Sequence, residues 1–296
     1  MNEVSTKSGR VAWRDVWRVG FDEPGEYPDG VAVEEPLEIR VGFDLEGKPV
    51  RRPISITMRT PGHDEELALG FLFAEGIVRE PGHVAGVGRC RGRGPDGAPA
   101  ENVVRVDLTS SAPLDLEWLE RKFVGTSSCG VCGKTTLDAL RRRGLVPAPS
   151  DTPLVEADTL LRLPDLLREA QDVFEATGGL HAAAHFDAEG RLLCLREDVG
   201  RHNAVDKLVG RQLLRGELPA HRGVLLLSGR TSFEIVQKAI AAGFGVVAAV
   251  GAPSSLAVDM AREFGVTLVG FLRDGRFNVY SGRQRVAGPI AGARGG

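Results

Sequence analysis

A small α+β domain followed by an α/β domain built on a parallel sheet is the fold class that this sequence predicts. Two strand-like runs, Pro36 to Phe43 and Pro53 to Arg59, flank a turn and lead into a helical segment. Toward the other end, the apolar runs Gly223 to Leu227, Gly245 to Val250 and Val266 to Phe271 alternate with helical segments Phe233 to Ala242 and Ser255 to Phe264. That order reads as βαβαβ, with right-handed crossovers and strands covered on both faces. Between the halves lies a Gly/Ser/Cys-rich stretch, which places the expected domains at 11–125 and 126–285, the second opening with the cysteine loop.

The elements follow in order. Residues 1–10 carry no pattern and are expected to be disordered, and the first ordered run is Val11 to Val19. The turn 44–49 makes a hairpin of the two strands. Asp64 is placed to cap the next helix, Glu65 and Glu66 suit its first turn, and Leu67, Leu69, Phe71, Leu72 and Ile77 form an apolar face. Its neighbour His63 reads as a turn residue, with no catalytic or ligand partner nearby. Gly88 to Asn102 reads as a loop, Asn102 to Leu108 alternates like a strand, and Gly144 to Pro153 has linker composition. Helical periodicity from Leu160 to Ala176 ends at Thr177-Gly-Gly179. The tail 286–296 lacks periodicity and is expected to be disordered.

Composition narrows the function classes. The chain has 296 residues, 42% of them hydrophobic, enough for ordinary buried cores. No apolar run reaches the roughly 18–20 residues that span a bilayer, and the polar start lacks the apolar segment of a secretion signal, so a soluble cytoplasmic protein without membrane contact is expected. A formal net charge of −3 gives no basic field for nucleic acid. Four cysteines in a chain of this size do not make a disulfide framework. Cys194, within Leu192-Leu-Cys-Leu195, reads as a buried strand residue, and Cys90, between two arginines in a Gly-rich loop, as an incidental thiol.

Cys129 and Cys132 differ from these. They lie in Gly125-Thr-Ser-Ser-Cys-Gly-Val-Cys-Gly-Lys134, just before the helical segment Thr135 to Arg143. Unpaired backbone N–H groups and the positive end of the helix dipole lower a thiol pKa there, and Lys134 acts in the same direction. A nucleophile, a redox thiol or a metal ligand is expected. Gly133-Lys134-Thr135 is no phosphate-binding P-loop, because Ser128 stands where the motif needs glycine. A catalytic zinc set of Cys129, Cys132 and His181 lacks the glutamate of a deaminase, since Ala183 holds its place, and its Cys and His occur in reversed order. A structural zinc would need a fourth ligand, for which His185 is the only local candidate. A thioredoxin-like exchange site lacks its surrounding βαβ pattern. A thiolate that accepts and passes on sulfur, with a second thiol to resolve it, remains.

Further polar residues gather at the strand ends of the second domain, where open α/β sheets bind ligands. Ser228-Gly-Arg-Thr-Ser232 follows a buried strand and opens a helix, Gly251 to Ser255 follows the next, and Arg273 and Arg276 follow the third. Arg201, His202 and Asn203 surround a strand-to-helix change. Together these loops point to a negatively charged, nucleotide-like ligand.

From about Val11 to Tyr280 the chain resembles the FdhD family of sulfur carriers required for formate dehydrogenase activity. The resemblance rests on Glu34-Glu-Pro36, Gly70-Phe71, Glu75-Gly-Ile77, Cys129-Gly-Val-Cys-Gly133, Thr177 to Ala184, Glu197-Asp-Val-Gly-Arg-His202, Asp206-Lys-Leu208, Ser228 to Lys238 and Leu268 to Arg276. It implies a cytidine-deaminase-like α/β sandwich for the second domain. The implied activity is a sulfurtransferase that takes sulfur as a persulfide from a cysteine desulfurase. It passes that sulfur to the molybdenum of bis-molybdopterin guanine dinucleotide before insertion into apo formate dehydrogenase. By the same resemblance Cys129 carries the persulfide with Cys132 as partner, and Phe271, Leu272, Arg273, Asp274, Gly275 and Arg276 hold the cofactor. A homodimer is implied, and no protein-ligated metal. The alternative is a zinc-binding deaminase-like or guanine-nucleotide-binding regulatory protein.

Overall fold

The computed structural model of the chain describes residues 9–20, 23–90, 102–114, 145–148 and 152–288. Cys129, Cys132, the segment Thr135 to Arg143 and the expected boundary at 125/126 lie outside the described residues.

The N-terminal half is built from two sheets. Strands β1 (Val11–Arg18) and β2 (Gly25–Ala32) form an antiparallel pair. The second of these was not legible, because Gly25, Pro28, Asp29 and Gly30 mask it. The predicted hairpin is β3 (Glu35–Leu45) and β4 (Lys48–Arg59), closed by Glu46-Gly47 with φ of 53° and 77°, the two left-handed residues a tight hairpin turn needs. It belongs to a four-stranded sheet of order β4-β3-β6-β5, in which β6 (Val103–Leu108) runs parallel to β3, and β5 (Val84–Arg89) pairs antiparallel with β6. Strand β5 has two glycines in six residues, which removes the strand signal.

Helix α1 (Asp64–Ala74) lies on this sheet and corrects two expectations. The cap position belongs to His63, at φ 58°, and Asp64 is fully buried as the first helical residue. Its carboxylate takes two bonds of 3.0 Å from the buried Arg59 guanidinium, and Arg89 Nη2 approaches it at 2.7 Å. Nor is the helix amphipathic. Leu67, Ala68, Leu69, Gly70 and Leu72 are all buried, because the sheet covers one side and a second helix another.

The second half holds a six-stranded sheet of order β13-β12-β11-β10-β8-β9. The predicted βαβαβ unit is β10 (Gly223–Leu227), α5 (Phe233–Ala241), β11 (Val246–Ala249), α6 (Ser255–Glu263) and β12 (Thr267–Arg273), with parallel pairing throughout. Strands β8 (His181–Asp187), β9 (Leu192–Asp198) and β13 (Arg276–Ser281) extend it antiparallel at its edges. Alternate residues serve opposite faces. Leu225, Leu227 and Val247 pack with α4 (Arg201–Arg215), α5 and α6, whereas Val224, Leu226, Ala248 and Val269 meet α2 (Ala157–Glu169). The helix expected from Leu160 to Ala176 is two, α2 and α3 (Asp172–Thr177), broken at Ala170-Gln171. Both expected tails are partly ordered. Val286–Ala287 forms β14 on β7 (Val155–Glu156), and Arg10 Nε donates to Pro61 O at 3.2 Å.

The four-stranded and six-stranded sheets are joined through α1 and α4. A Cβ on Gly70 would lie 1.9 Å from Asp206 O, and one on Gly210 only 1.8 Å from Glu66 O, so the backbones touch where both helices lack side chains. One turn away, Arg196 of β9 grips Glu66 of α1 through bonds of 2.5 and 2.8 Å. Burial raises the Glu66 pKa, but hydrogen bonds from Arg196 and His63 overcome it and bring the value to about 2, against an ordinary 4.5. The folded pKa lies below the unfolded one. The bridge therefore stabilises above about pH 4.5, and its contribution fades as the pH falls toward 2. Unfolding by urea from pH 6 to pH 2 should accordingly show a smaller acid loss of stability in Glu66→Gln than in the parent; identical acid slopes would refute the assignment.

Candidate functional site

Antiparallel pairing of β8 with β10 and β9 brings the start of β8, the end of β9 and the start of α4 to the carboxyl edge of β10, β11 and β12. At that edge His181 is in register with Asp198. Asp198 is fully buried and organises the segment around it: Gly200 N and Asn203 Nδ2 donate to its Oδ1 at 2.8 and 3.0 Å, while Lys207 Nζ lies 2.6 Å and Thr60 N 3.2 Å from Oδ2. Lys207 also donates to Thr60 O at 2.8 Å, and Asn203 to Met58 O at 2.7 Å. The Asp198, Asn203 and Lys207 of the polar segment thus anchor it to the N-terminal half. This corrects the ligand role expected of Asn203. Arg201 and His202 remain at the sheet edge.

The loop Ser228–Ser232 is fixed from both sides. Ser228 N donates to Ala182 O at 3.0 Å and Ala182 N to Ser228 Oγ at 2.8 Å, so this loop prolongs the β8 ladder. Gly251 N donates to Gly229 O, Thr231 N to Ala252 O and Ser254 N to Thr231 O, at 3.1, 3.1 and 3.0 Å. Phe271 N reaches Gly251 O at 3.0 Å. All three sequence-predicted loops therefore meet. Helix α5 opens directly after Ser232, whose Oγ lies 3.1 Å from His202 Nε2, itself 3.2 Å from Glu234 Oε2. Two polar atoms here are buried with no hydrogen-bond partner among the described residues, Arg201 Nε and Thr231 Oγ1. Burial pushes the His181 pKa below its ordinary value, and the charges of Arg201 and Arg230 push it further. The positive charges of Arg201 and Arg230 that act on His181, together with the helix start after Ser232, suit this edge to an anionic ligand.

Phe271 to Arg276 forms the end of β12 and its turn into β13. Asp274 and Gly275, at φ of 55° and 68°, are the two central residues of a tight hairpin turn. Leu272 is fully buried in the core beneath, so only its neighbours can touch a ligand with their side chains. Phe271 has φ 53°, uncommon for a bulky aromatic residue, and exposes about a third of its surface beside Gly251. Arg273 lies over its ring at 5.8 Å.

His185 does not suit a metal site. Its Nδ1 lies 2.6 Å from Gln212 Nε2, its ring stands edge-on to Phe244, and a Cβ on Gly223 would come within 2.0 Å of Nε2. Burial brings its pKa down to about 4, the behaviour of a core histidine. Cys194 is buried with its pKa raised by desolvation, as its strand reading expects. Among the described residues no three His, Cys, Asp or Glu side chains are grouped to hold a metal, and no helix is long and apolar enough to cross a membrane.

Residues absent from the sequence reading complete the site. Beside His181 and Ser228 opens a cavity of about 420 Å3, bounded by Arg168, Gln171 and Phe174. They were hidden because periodicity reads α2 and α3 as one helix; Asp172 in the first turn of α3 is the only local sign of the break.

Fold and site define a mixed α/β protein with polar loops gathered at the carboxyl edge of a largely parallel sheet. The chain belongs to the FdhD/NarQ family, whose profile matches residues 32–287. It is 52% identical over 290 residues to the sulfur carrier protein FdhD of Streptomyces avermitilis, covering 97% of this chain and all of the relative. The protein of the same name from Mycobacterium tuberculosis is 48% identical over 280 residues, 93% of this chain and 98% of the other. Among solved structures, a provisionally assigned formate dehydrogenase accessory protein from Desulfotalea psychrophila superposes with a TM-score of 0.69 at 23% identity, over 94% of this chain and 100% of that one, and so shares the fold.

Proposed function

We propose that this protein is a sulfur carrier in formate dehydrogenase maturation, accepting sulfur on Cys129 and delivering it to a molybdenum cofactor. The supporting observation is the Cys129/Cys132 pair in a chain about half identical, over nearly its full length, to relatives named sulfur carriers. The Cys129 thiolate attacks the outer sulfur of a persulfide on a cysteine desulfurase. A new S–S bond forms on Cys129, the donor's S–S bond breaks, and the donor cysteine leaves as a thiolate with the electron pair. Attack by Cys132 on Cys129 Sγ then releases the outer sulfur as sulfide for the molybdenum and leaves a Cys129–Cys132 disulfide, which a thiol reductant returns to the starting dithiol. The cargo, bis-molybdopterin guanine dinucleotide, carries phosphates and bases suited to the Ser228–Ser232 loop, Arg201, Arg230 and the Phe271–Arg276 turn. A cysteine desulfurase and apo formate dehydrogenase are the partners, the carrier acts in the cytoplasm as a homodimer, and no protein-bound metal is needed.

Incubation with a cysteine desulfurase and cysteine, followed by mass spectrometry under non-reducing conditions, should show a gain of one sulfur mass on Cys129. Cys129→Ala should abolish it. A chain that gains no sulfur, or gains it equally without Cys129, is not this carrier.

A further inference from the structure

Strands β1 and β2 form a two-stranded ribbon whose residues alternate between two faces. Val11, Trp13, Asp15 and Trp17 share one face with Ala32, Gly30, Pro28 and Glu26, the residues directly opposite them. At the base of the ribbon this face is covered: a Cβ on Gly30 would lie 2.6 Å from Ala176 O of α3, and one on Gly179 would lie 3.6 Å from the Ala32 Cβ. Farther out it is open. Trp13 exposes 47% of its surface and Trp17 69%, although tryptophan is on average a well-buried residue. Two indoles on one strand face, with the exposed Pro28 between them, form a patch rather than scattered apolar residues. The ribbon lies, Ala32 excepted, ahead of the family-matched residues 32–287, and the sulfur-carrier reading makes no use of it.

The charges of the ribbon are sorted between its faces. Asp15 and Glu26 stand exposed on the tryptophan face, and no lysine or arginine of the ribbon shares it. Arg14 and Arg18 belong to the opposite face. There the Arg18 guanidinium lies over the Tyr27 ring at 5.6 Å, and its Nη2 is 3.4 Å from Asp29 Oδ1. One face thus combines a guanidinium, an aromatic ring and a carboxylate. On the tryptophan face the rings and carboxylates are present and the guanidinium is missing: Trp17 is directly opposite Glu26, and Asp15 is two residues, about 7 Å, from each indole position. An arginine from another molecule completes the set by stacking on an indole and bonding the adjacent carboxylate. A second copy of this chain fits poorly, because a twofold contact would set Asp15 and Glu26 against the same acidic face.

We propose that the Trp13/Trp17 face of the β1–β2 ribbon is a docking surface for a protein partner that presents an extended, arginine-bearing segment. Alternate side chains of such a segment repeat about every 7 Å, the spacing at which Trp13, Asp15 and Trp17 line the strand. Ala32 and Gly179 join the base of the ribbon to the chain that leads into His181, so a partner held here stands beside the sheet edge. The assignment goes beyond the sulfur-carrier reading and does not depend on it.

Anisotropy of a fluorescently labelled peptide of alternating arginine and threonine, titrated with the full chain, tests this. The peptide should bind, and its counterpart with citrulline in place of arginine should bind about tenfold more weakly. Trp17→Ala removes no charge and should weaken the arginine peptide about tenfold, with an unchanged thermal midpoint because Trp17 is largely exposed. Asp15→Asn combined with Glu26→Gln should weaken it with both indoles in place. Equal affinity for the two peptides overturns the proposal. So does undiminished affinity in Trp17→Ala, the result that general attraction of cations to an acidic chain would give. A parent dimer that Trp17→Ala dissolves in sedimentation would hand the face to a second copy, and a peptide that binds only after removal of residues 1–8 would hand it to the chain's own start; either outcome overturns the proposal.

Discussion

Lys207→Met is expected to destabilise the protein by about 3–5 kcal/mol, the loss seen when one partner of a buried ion pair is removed. Lys207 and Asp198 are both fully buried, 2.6 Å apart. Burial pulls the lysine pKa down and Asp198 opposes it. Without the ammonium, the Asp198 carboxylate keeps its bonds from Gly200, Asn203 and Thr60 but is a lone charge in the interior, and Thr60 O loses a donor. The further change Asp198→Asn in the same chain should recover part of the loss, because no charge then remains buried. Urea unfolding of the parent, both single variants and the double variant decides it. A single-variant cost below about 1 kcal/mol, or simple additivity, would show that the pair is not the anchor described here.

Gly210→Ala is the second large effect, expected to cost about 3 kcal/mol or more although alanine is the better helix former. A methyl group at 210 would stand 1.8 Å from Glu66 O and intrude on the close approach of α4 to α1. The neighbour in the way is backbone, which cannot swing aside as a side chain does. The helices must separate, opening the packing of Leu67, Leu69 and Leu213 beneath them. Gly216→Ala is the control of opposite logic: its Cβ meets nothing within 4 Å, but its φ of 66° makes it a helix-terminal position, so the cost there is backbone strain of about 1 kcal/mol. Thermal unfolding of the two variants should therefore show the larger fall for Gly210→Ala. The reverse order would show that α1 and α4 are not held at backbone contact there.

Both effects lie at the junction that holds the sheet-edge site. Arg201 and His202 stand directly after the segment fixed by Asp198, so their placement depends on an N-terminal element, Thr60, that is remote in sequence. Stability of the junction and geometry of the site are one physical system.

Much of this was legible in the linear chain. The parallel strands β10, β11 and β12 are short apolar runs with helices between them, and their carboxyl ends had to gather polar loops. The hairpin of β3 and β4 was visible because a turn sequence separates two strand-like runs. Strands β2 and β5 were not, since glycine and proline suppress local strand preference and only pairing with a neighbour fixes them there.

Local chemistry fixed by covalent order could be read from residue types alone: hydroxyls and an arginine after β10, and an aspartate-glycine turn after β12. Contacts between distant segments could not. Asp64 reads as a helix cap until Arg59 and Arg89 are seen to bury it, His185 as a ligand until Gln212 and Phe244 enclose it, and Leu160 to Ala176 as one helix until the chain breaks at Ala170-Gln171. For Asp64 and His185 the deciding energy is that of burial against side chains contributed by other elements, a quantity that local pattern does not contain.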